Sequence, residues 1–245
     1  MTSTAASLIR ERVLDLLSEP TDRDKQRLVG ASNLSNPCTR CLAQDMAGML
    51  HDDLEVAPRG DYYLGAVIGT AIHALLEERA YNDPNLAPEH RVIIGEIPGY
   101  GVLKSTSDLY VVDLAGTVDY KTTTREKLGK YRTTVQLPPT DLDPEVIVKA
   151  RLTLQQYDVQ LNLYGKGMED AGNPVETVNI VFICRDAKTE ADVWVHSQPY
   201  RREVAEKALD RATRIWQALV SGKELDTFKS HPLCYRCNVL RKEQL

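Results

Sequence analysis

The chain has 245 residues, 42% of them hydrophobic and 27% charged, ordinary values for a globular protein with room for one generous core. Its formal net charge of −5 excludes a protein that coats nucleic acid indiscriminately, while leaving room for a local basic track. No apolar run approaches the ~18 residues of a membrane span, and the opening MTSTAASLIRERVLDLL lacks the apolar centre of a secretory signal. The expected compartment is therefore the cytoplasm, where thiols stay reduced.

Leu8, Ile9, Val13, Leu16 and Leu17 give residues 4–18 one apolar helical face, stopped at Glu19-Pro20. Ser35-Asn36-Pro37-Cys38-Thr39-Arg40-Cys41 reads as a turn-rich knuckle running into a short helix over 42–50, and a polar loop follows to Gly60. The spacing of LGAVIGTAIHALLEERAY predicts a strong helix over 64–81, with Gly65 and Gly69 permitting close packing near its start. His73 lies on this helix one turn before Glu77, and a loop with two prolines covers 82–90. RVIIGEI (91–97) is a strand candidate closed by a Pro98-Gly99 turn, and 107–122 reads as two strands joined at Ala115-Gly116. Residues 123–149 read as a polar, mobile loop, punctuated by Pro138-Pro139 and Asp143-Pro144. A long helix over 145–170 ends at Gly172-Asn173-Pro174. A buried strand (175–184), an alternating strand (191–196) and an amphipathic helix (200–221) complete the order before a cysteine-bearing tail. This order predicts an α/β core with a central mixed sheet flanked by helices. Residues 1–60, 61–222 and 223–245 form its leading segment, core and tail within one cooperative domain.

The chemistry gathers on 107–122. Along a strand Asp119 and Lys121 point one way and Tyr120 the other. Pairing through the turn brings Asp108 to the same end of the sheet. Two carboxylates and a lysine at one spot suit a hard divalent cation with an ammonium beside it. A water polarised there and held near Lys121 is a competent nucleophile for a phosphodiester. His73 would add a nitrogen ligand, leaning the site from Mg²⁺ towards Mn²⁺. Glu77 is either a ligand through water or a surface residue. Gln160 and Tyr164, four apart on the long helix, share a face. Lys121, Arg125, Lys127, Lys130 and Arg132 against Glu126 read as a phosphate track or as a solvated charged loop.

Four of the five cysteines form two CxxC pairs, Cys38/Cys41 and Cys234/Cys237. Two such knuckles complete a four-thiolate tetrahedral site, which either Zn²⁺ or an iron–sulfur cluster satisfies, and which clips the N-terminal region to the tail. Cys184, inside an apolar strand, reads as a core residue.

Together these residues resemble the PD-(D/E)XK nuclease superfamily, in the RecB-like branch that includes CRISPR-associated and phage-encoded exonucleases. The matching order is Gly69-Thr-Ala-Ile-His73, Ser107-Asp108, Val118-Asp119-Tyr120-Lys121-Thr122 and Gln160-x-x-x-Tyr164, with cysteines on both sides, over roughly residues 35–240. The resemblance implies a restriction-endonuclease-like core and a Mn²⁺- or Mg²⁺-dependent DNA exonuclease. Its substrate would be single-stranded DNA or duplex ends, in recombination, repair or phage DNA metabolism, and in the host cytoplasm if phage-encoded. The alternative it implies is a DNA-end-binding or structure-selective endonuclease component, partnered with recombination or CRISPR-adaptation proteins. By the same resemblance His73, Asp108, Asp119 and the Tyr120 carbonyl hold the metal, and Lys121 orients the attacking water. Gln160 and Tyr164 support the site and contact DNA. In that branch the flanking cysteines hold a [4Fe-4S] cluster, usually with one cysteine before the core and three after. Here the split is two and two, and Glu243 stands where a third late cysteine is expected, which keeps Zn²⁺ open.

Overall fold

The computed structural model describes residues 9, 10, 12, 28–48, 63–137, 144–234, 236 and 237. Residues 9, 10 and 12 are helical; the rest of the expected N-terminal helix, and the loop expected over 51–60, lie outside the described residues. In chain order the elements are α1 (Ala31–Leu34), α2 (Thr39–Ala47), α3 (Tyr63–Ala80), β1 (Leu86–Ile97), β2 (Gly101–Val111), β3 (Gly116–Thr123), α4 (Arg125–Gln136), α5 (Pro144–Asp170), β4 (Thr177–Cys184), β5 (Val193–Pro199) and α6 (Arg202–Val220).

The strands form one mixed sheet in the order β1-β2-β3-β4-β5. Only β3 and β4 run parallel, because α4 and α5 carry the chain between them; the other neighbours are antiparallel. Alternation sorts the two faces. Val92, Ile94, Leu103, Tyr110, Val178, Ile180 and Phe182 face Leu161, Leu163 and Met168 of α5 and Ala205, Ala212, Ile215 and Trp216 of α6. On the opposite face a smaller cluster of Leu109, Val118, Tyr120 and Val181 packs near Ala80 of α3. The short α1 packs on α5, and α2 on α6. Tyr100, in the β1–β2 turn, accepts the Val29 N–H on its hydroxyl and meets Trp216 edge-on at 4.8 Å.

Helices α3, α5 and α6 and strand β4 occupy the spans their apolar periodicity predicts, to within about two residues. Three expectations are corrected. The loop over 82–90 is shorter, because β1 starts at Leu86 and pairs along the whole of β2; Pro88 is tolerated since β1 is an edge strand. Strand β2 likewise begins at Gly101, its polar run Lys104–Ser107 held by pairing with β1. The stretch 123–149 is not one loop. Thr124 caps α4 by accepting the Lys127 N–H, and Leu128 and Tyr131 pin the helix, Tyr131 lying 5.0 Å from the Phe182 ring. Too few apolar residues recur there for periodicity to announce a helix. Two smaller shifts follow: Cys41 already lies inside α2, with Cys38 at its N-cap, and the β2–β3 turn spans 112–115 with Ala115 at φ +45°.

Helix α5 lies close against β1 because Gly167 has no side chain. A Cβ there would meet Val92 Cγ2 at 2.6 Å and the Ile93 carbonyl at 3.1 Å. Gly167→Ala should cost about 1–3 kcal/mol through this overpacking. Gly129→Ala on α4, where a Cβ meets nothing within 4 Å, should be neutral or stabilising by up to ~1 kcal/mol. Chemical denaturation of the two variants side by side checks the contrast.

Candidate active site

The site exists because two strands part company. Strands β2 and β3 pair only at Leu109↔Val118, Tyr110↔Thr117 and Val111↔Gly116, and beyond that point β3 continues against β4 alone. At the fork the Asp108 carboxylate replaces the missing backbone partner: its Oδ2 accepts the Tyr120 N–H at 2.7 Å. Ser107 donates its hydroxyl to the Leu109 carbonyl at 3.1 Å and lies 3.3 Å from the Val118 carbonyl. Asp108 and Asp119 thus sit across the fork from each other, both buried.

Strand alternation then places the neighbours as expected. Asp119 and Lys121 share a face and their side chains form an ion pair, while Tyr120 turns towards α3 and meets the His73 ring edge-on at 5.6 Å. Helix α3 reaches the fork through its glycines: a Cβ on Gly69 would stand 3.2 Å from Thr122 Oγ1, and one on Gly65 would strike the Arg185 guanidinium. That approach sets His73 Nε2 3.0 Å from the Tyr120 carbonyl oxygen. From the opposite face α5 delivers Gln160, whose Nε2 donates to Asp119 Oδ1 at 3.1 Å and to the Tyr164 hydroxyl at 2.6 Å.

The structure therefore brings together His73, Asp108, Asp119, the Tyr120 carbonyl, Lys121, Gln160 and Tyr164. It sends others elsewhere. Arg125 Nε bonds Asp192 Oδ1 at 2.9 Å, Lys130 pairs with Glu126 one turn away at 2.5 Å, and Lys127 is exposed on the same helix. Glu77 is exposed and lines a shallow groove with Ala74, Glu78, Tyr81 and Asn82. Two residues beyond the sequence reading join the cluster. Glu89, on β1, stands in register beside Asp108, and its carboxylate, His73 and Asp108 present ligand atoms within 4.8 Å of one another. Its backbone is left-handed (φ +45°), a conformation a non-glycine residue holds only under local constraint. No sequence signal marked it, since its position opposite Asp108 depends on the β1–β2 register. Tyr157 lies on the α5 face of Gln160 and Tyr164, with Lys121 Nζ 5.6 Å from its ring centre; the i, i+3, i+7 spacing of the three was readable.

Charge in this cluster is lopsided. Burial pushes the Asp119 carboxyl above its ordinary range, and the Asp108 charge adds to the push against the pull of Lys121. Asp108 beside it raises the His73 imidazole, outweighing burial. Nε2 faces the Tyr120 carbonyl, and the buried Nδ1 has no hydrogen-bond partner among the described residues, although Asp108 Oδ1 lies 3.4 Å away. In the tautomer with its proton on Nδ1 the ring turns that proton to Asp108 and the Nε2 lone pair to the Tyr120 carbonyl oxygen, two acceptors that a cation between them would reconcile. Three carboxylates, one imidazole and one carbonyl are the donor set of a hard or borderline divalent cation, with a single lysine beside them. The 3.0 Å between Nε2 and the Tyr120 oxygen equals the edge of an octahedron with bonds of about 2.1 Å. The residues fit such an ion.

A second cluster lies where α2 meets the C-terminal residues. Cys38, Cys41 and Cys237 are buried and Cys234 half-buried, and their four sulfurs all lie within 4.8 Å of one another. Burial raises the Cys38 thiol, but the N–H groups of His231 and Cys41 draw it down to about 7. Burial pushes Cys41 far up and Cys237 to about 11. Arg211 of α6 anchors the first knuckle by donating to the Leu34 and Asn36 carbonyls, and ion pairs of Arg40 with Asp226 and of Arg236 with Asp45 tie it to the C-terminal residues. The four cysteines of the N- and C-terminal segments are thus brought to one spot, in an arrangement that could hold a metal ion. Cys184 is buried in β4 within the main core, as its apolar surroundings predict.

No family model matches the chain, and no curated protein matches it. Solved structures do share its fold. The chain is similar to the alkaline exonuclease LHK-Exo from Laribacter hongkongensis at 12% identity, over 80% of this chain and 90% of that one, with a TM-score of 0.51. The same values hold for LHK-Exo in complex with dAMP. A phage-related exonuclease from Haemophilus somnus 129PT aligns at 11% identity over 83% of this chain and 100% of its own, again with a TM-score of 0.51. The five-stranded mixed sheet flanked by helices is a restriction-endonuclease-like core, the fold this chain shares with these exonucleases. Among the described residues no helix is long and apolar enough to cross a membrane.

Proposed function

We propose that the chain is a divalent-metal-dependent deoxyribonuclease that degrades DNA from an end. The observation that carries this reading is the Lys121 ammonium held against Asp119, one residue beyond a carbonyl that faces His73. His73, Asp108, Asp119 and the Tyr120 carbonyl would hold Mn²⁺ or Mg²⁺. When bound, the ion supplies charge neutralisation at the scissile phosphate and acidifies water.

The protein's own groups do the rest. Asp119 Oδ2 fixes the Lys121 ammonium, and Gln160 holds the other Asp119 oxygen, so the carboxylate cannot rotate away. Lys121, with a spare N–H, hydrogen-bonds the attacking water and keeps its lone pair aimed at phosphorus. The Tyr157 ring shields one side of the ammonium from solvent. Asp108 engages the Tyr120 N–H, which orients the peptide whose carbonyl faces the ion position. Gln160 and Tyr164 reach the fork from α5 and support its floor; both are buried, which favours support over DNA contact.

Purified protein incubated with end-labelled linear DNA and with circular single-stranded DNA, each with Mn²⁺ or Mg²⁺, tests the proposal. Degradation of linear DNA alone is expected. Cutting of the circle would favour a structure-selective endonuclease, and gel-shift binding without degradation an end-binding module; either outcome replaces the exonuclease reading. Glu89 extends the ligand set to β1. Glu89→Gln should weaken Mn²⁺ binding by about tenfold, read by calorimetry or by the electron paramagnetic resonance of free Mn²⁺. Unchanged affinity would remove Glu89 from the site.

A further inference from the structure

We infer that the four cysteines hold a single tetrahedral Zn²⁺ and do not fit the [4Fe-4S] cluster that the RecB-like resemblance implies. The separations decide it. Cys38 Sγ lies 3.6 Å from Cys237 Sγ, and Cys41 Sγ lies 3.3 Å from Cys234 Sγ and 3.6 Å from Cys237 Sγ. Every remaining pair is within 4.8 Å. Zn–S bonds of ~2.3 Å place two thiolates about 3.8 Å apart at the corners of a tetrahedron. A cubane puts a different iron under each thiolate and so holds them about 6 Å apart. Opening the site to that size would have to spread all four sulfurs together.

The surroundings resist such expansion. Cys38 and Cys41 flank the first turn of α2, whose Leu42 and Met46 are fully buried in the main core. Arg40 N–H bonds the Lys229 carbonyl, and His231 N–H bonds Cys38 Sγ at 3.4 Å, so the two knuckles are laced directly to each other across the site. The two-and-two division of ligands agrees: paired C-x-x-C knuckles are the pattern of a structural zinc site. The ion has a mechanical role, clipping α2 to the last residues of the core, and exchanges no electrons. This inference is independent of the nuclease reading, because the clip and the fork are separate clusters.

The test measures metal on the intact protein. The full chain is produced in cells supplied with iron and sulfur, purified without oxygen and analysed for zinc, iron and acid-labile sulfide. A colourless protein with about one zinc per chain and less than a tenth as much iron is expected. A brown protein with iron and sulfide in near-equal, multiple amounts overturns the inference. Growth in cobalt-supplemented medium gives a second readout, because Co²⁺ in four thiolates is tetrahedral and intensely coloured. Cys234→Ser should weaken and shift that spectrum. A pale octahedral spectrum, or one indifferent to Cys234→Ser, also overturns it.

Discussion

Lys121→Ala should lower single-turnover DNA cleavage by about 10²–10³-fold, the loss typical when one positioned hydrogen-bond donor is removed, while leaving Mn²⁺ affinity within about threefold. Lys121 stands beside the proposed ion position without being one of its ligands, so removing it takes away the group that orients water and keeps the donor set. The fold should survive. Asp119 keeps its Gln160 hydrogen bond and lies 2% exposed in a site where the proposed ion would neutralise it. The raised Asp119 carboxyl makes the metal-free variant the vulnerable one, since a buried carboxylate has then lost its lysine. Thermal unfolding should accordingly show a lower metal-free Tm for Lys121→Ala than for wild type, with a Mn²⁺-dependent gain close to that of wild type because the two bind the ion about equally. Retained degradation would remove Lys121 from the chemistry, and a lost metal response would make it part of the metal site.

Cys41→Ser should have the largest effect on stability. Cys41 has two sulfur neighbours within 3.6 Å, and its loss breaks a clip spanning 199 residues between Cys38 and Cys237. Closing a loop of that length stabilises the folded chain by about 5 kcal/mol in the chain-entropy picture. For a chain of this size that corresponds to a fall of roughly 10–20 °C in Tm. A strong chelator should reproduce the fall in wild type, because the clip's free energy is metal-binding free energy. Cys184→Ser is the contrast: its buried hydroxyl is costly in β4, yet it leaves chelator sensitivity intact. A Cys41→Ser protein with unchanged Tm would show the clip to be without structural weight.

Much of this was legible because it depended on period and order alone. Strand alternation put Asp119 and Lys121 on one face and Tyr120 on the other, and the ion pair and the Tyr120–His73 contact agree. The helical stagger of Gln160 and Tyr164 likewise follows from spacing. Helix α4 was hidden for the converse reason. Leu128, Tyr131 and Thr134 are its inward residues, too sparse for periodicity, and they are fixed only by Phe182 and its neighbours on the sheet. The basic residues of that stretch read as a track with Glu126 as its acidic member, but a linear list of charges omits Asp192, which engages Arg125, and does not say that Glu126 pairs with Lys130.

By itself, then, the sequence determined residue type and local direction: which side chains bear charge, which face each strand residue takes, and where two pairs of thiols stand. Tertiary structure alone decided distance. The parting of β2 from β3 set Asp108 across from Asp119 and freed the Tyr120 peptide for Asp108 and His73. The β1–β2 register added Glu89, and the docking of α2 against the C-terminal residues drew four sulfurs within 4.8 Å. Spacing along a chain fixes angles about one element, whereas the gap between elements follows from how their side chains pack. Donor chemistry was therefore readable in the residues, and the spacing of the donors only in the fold.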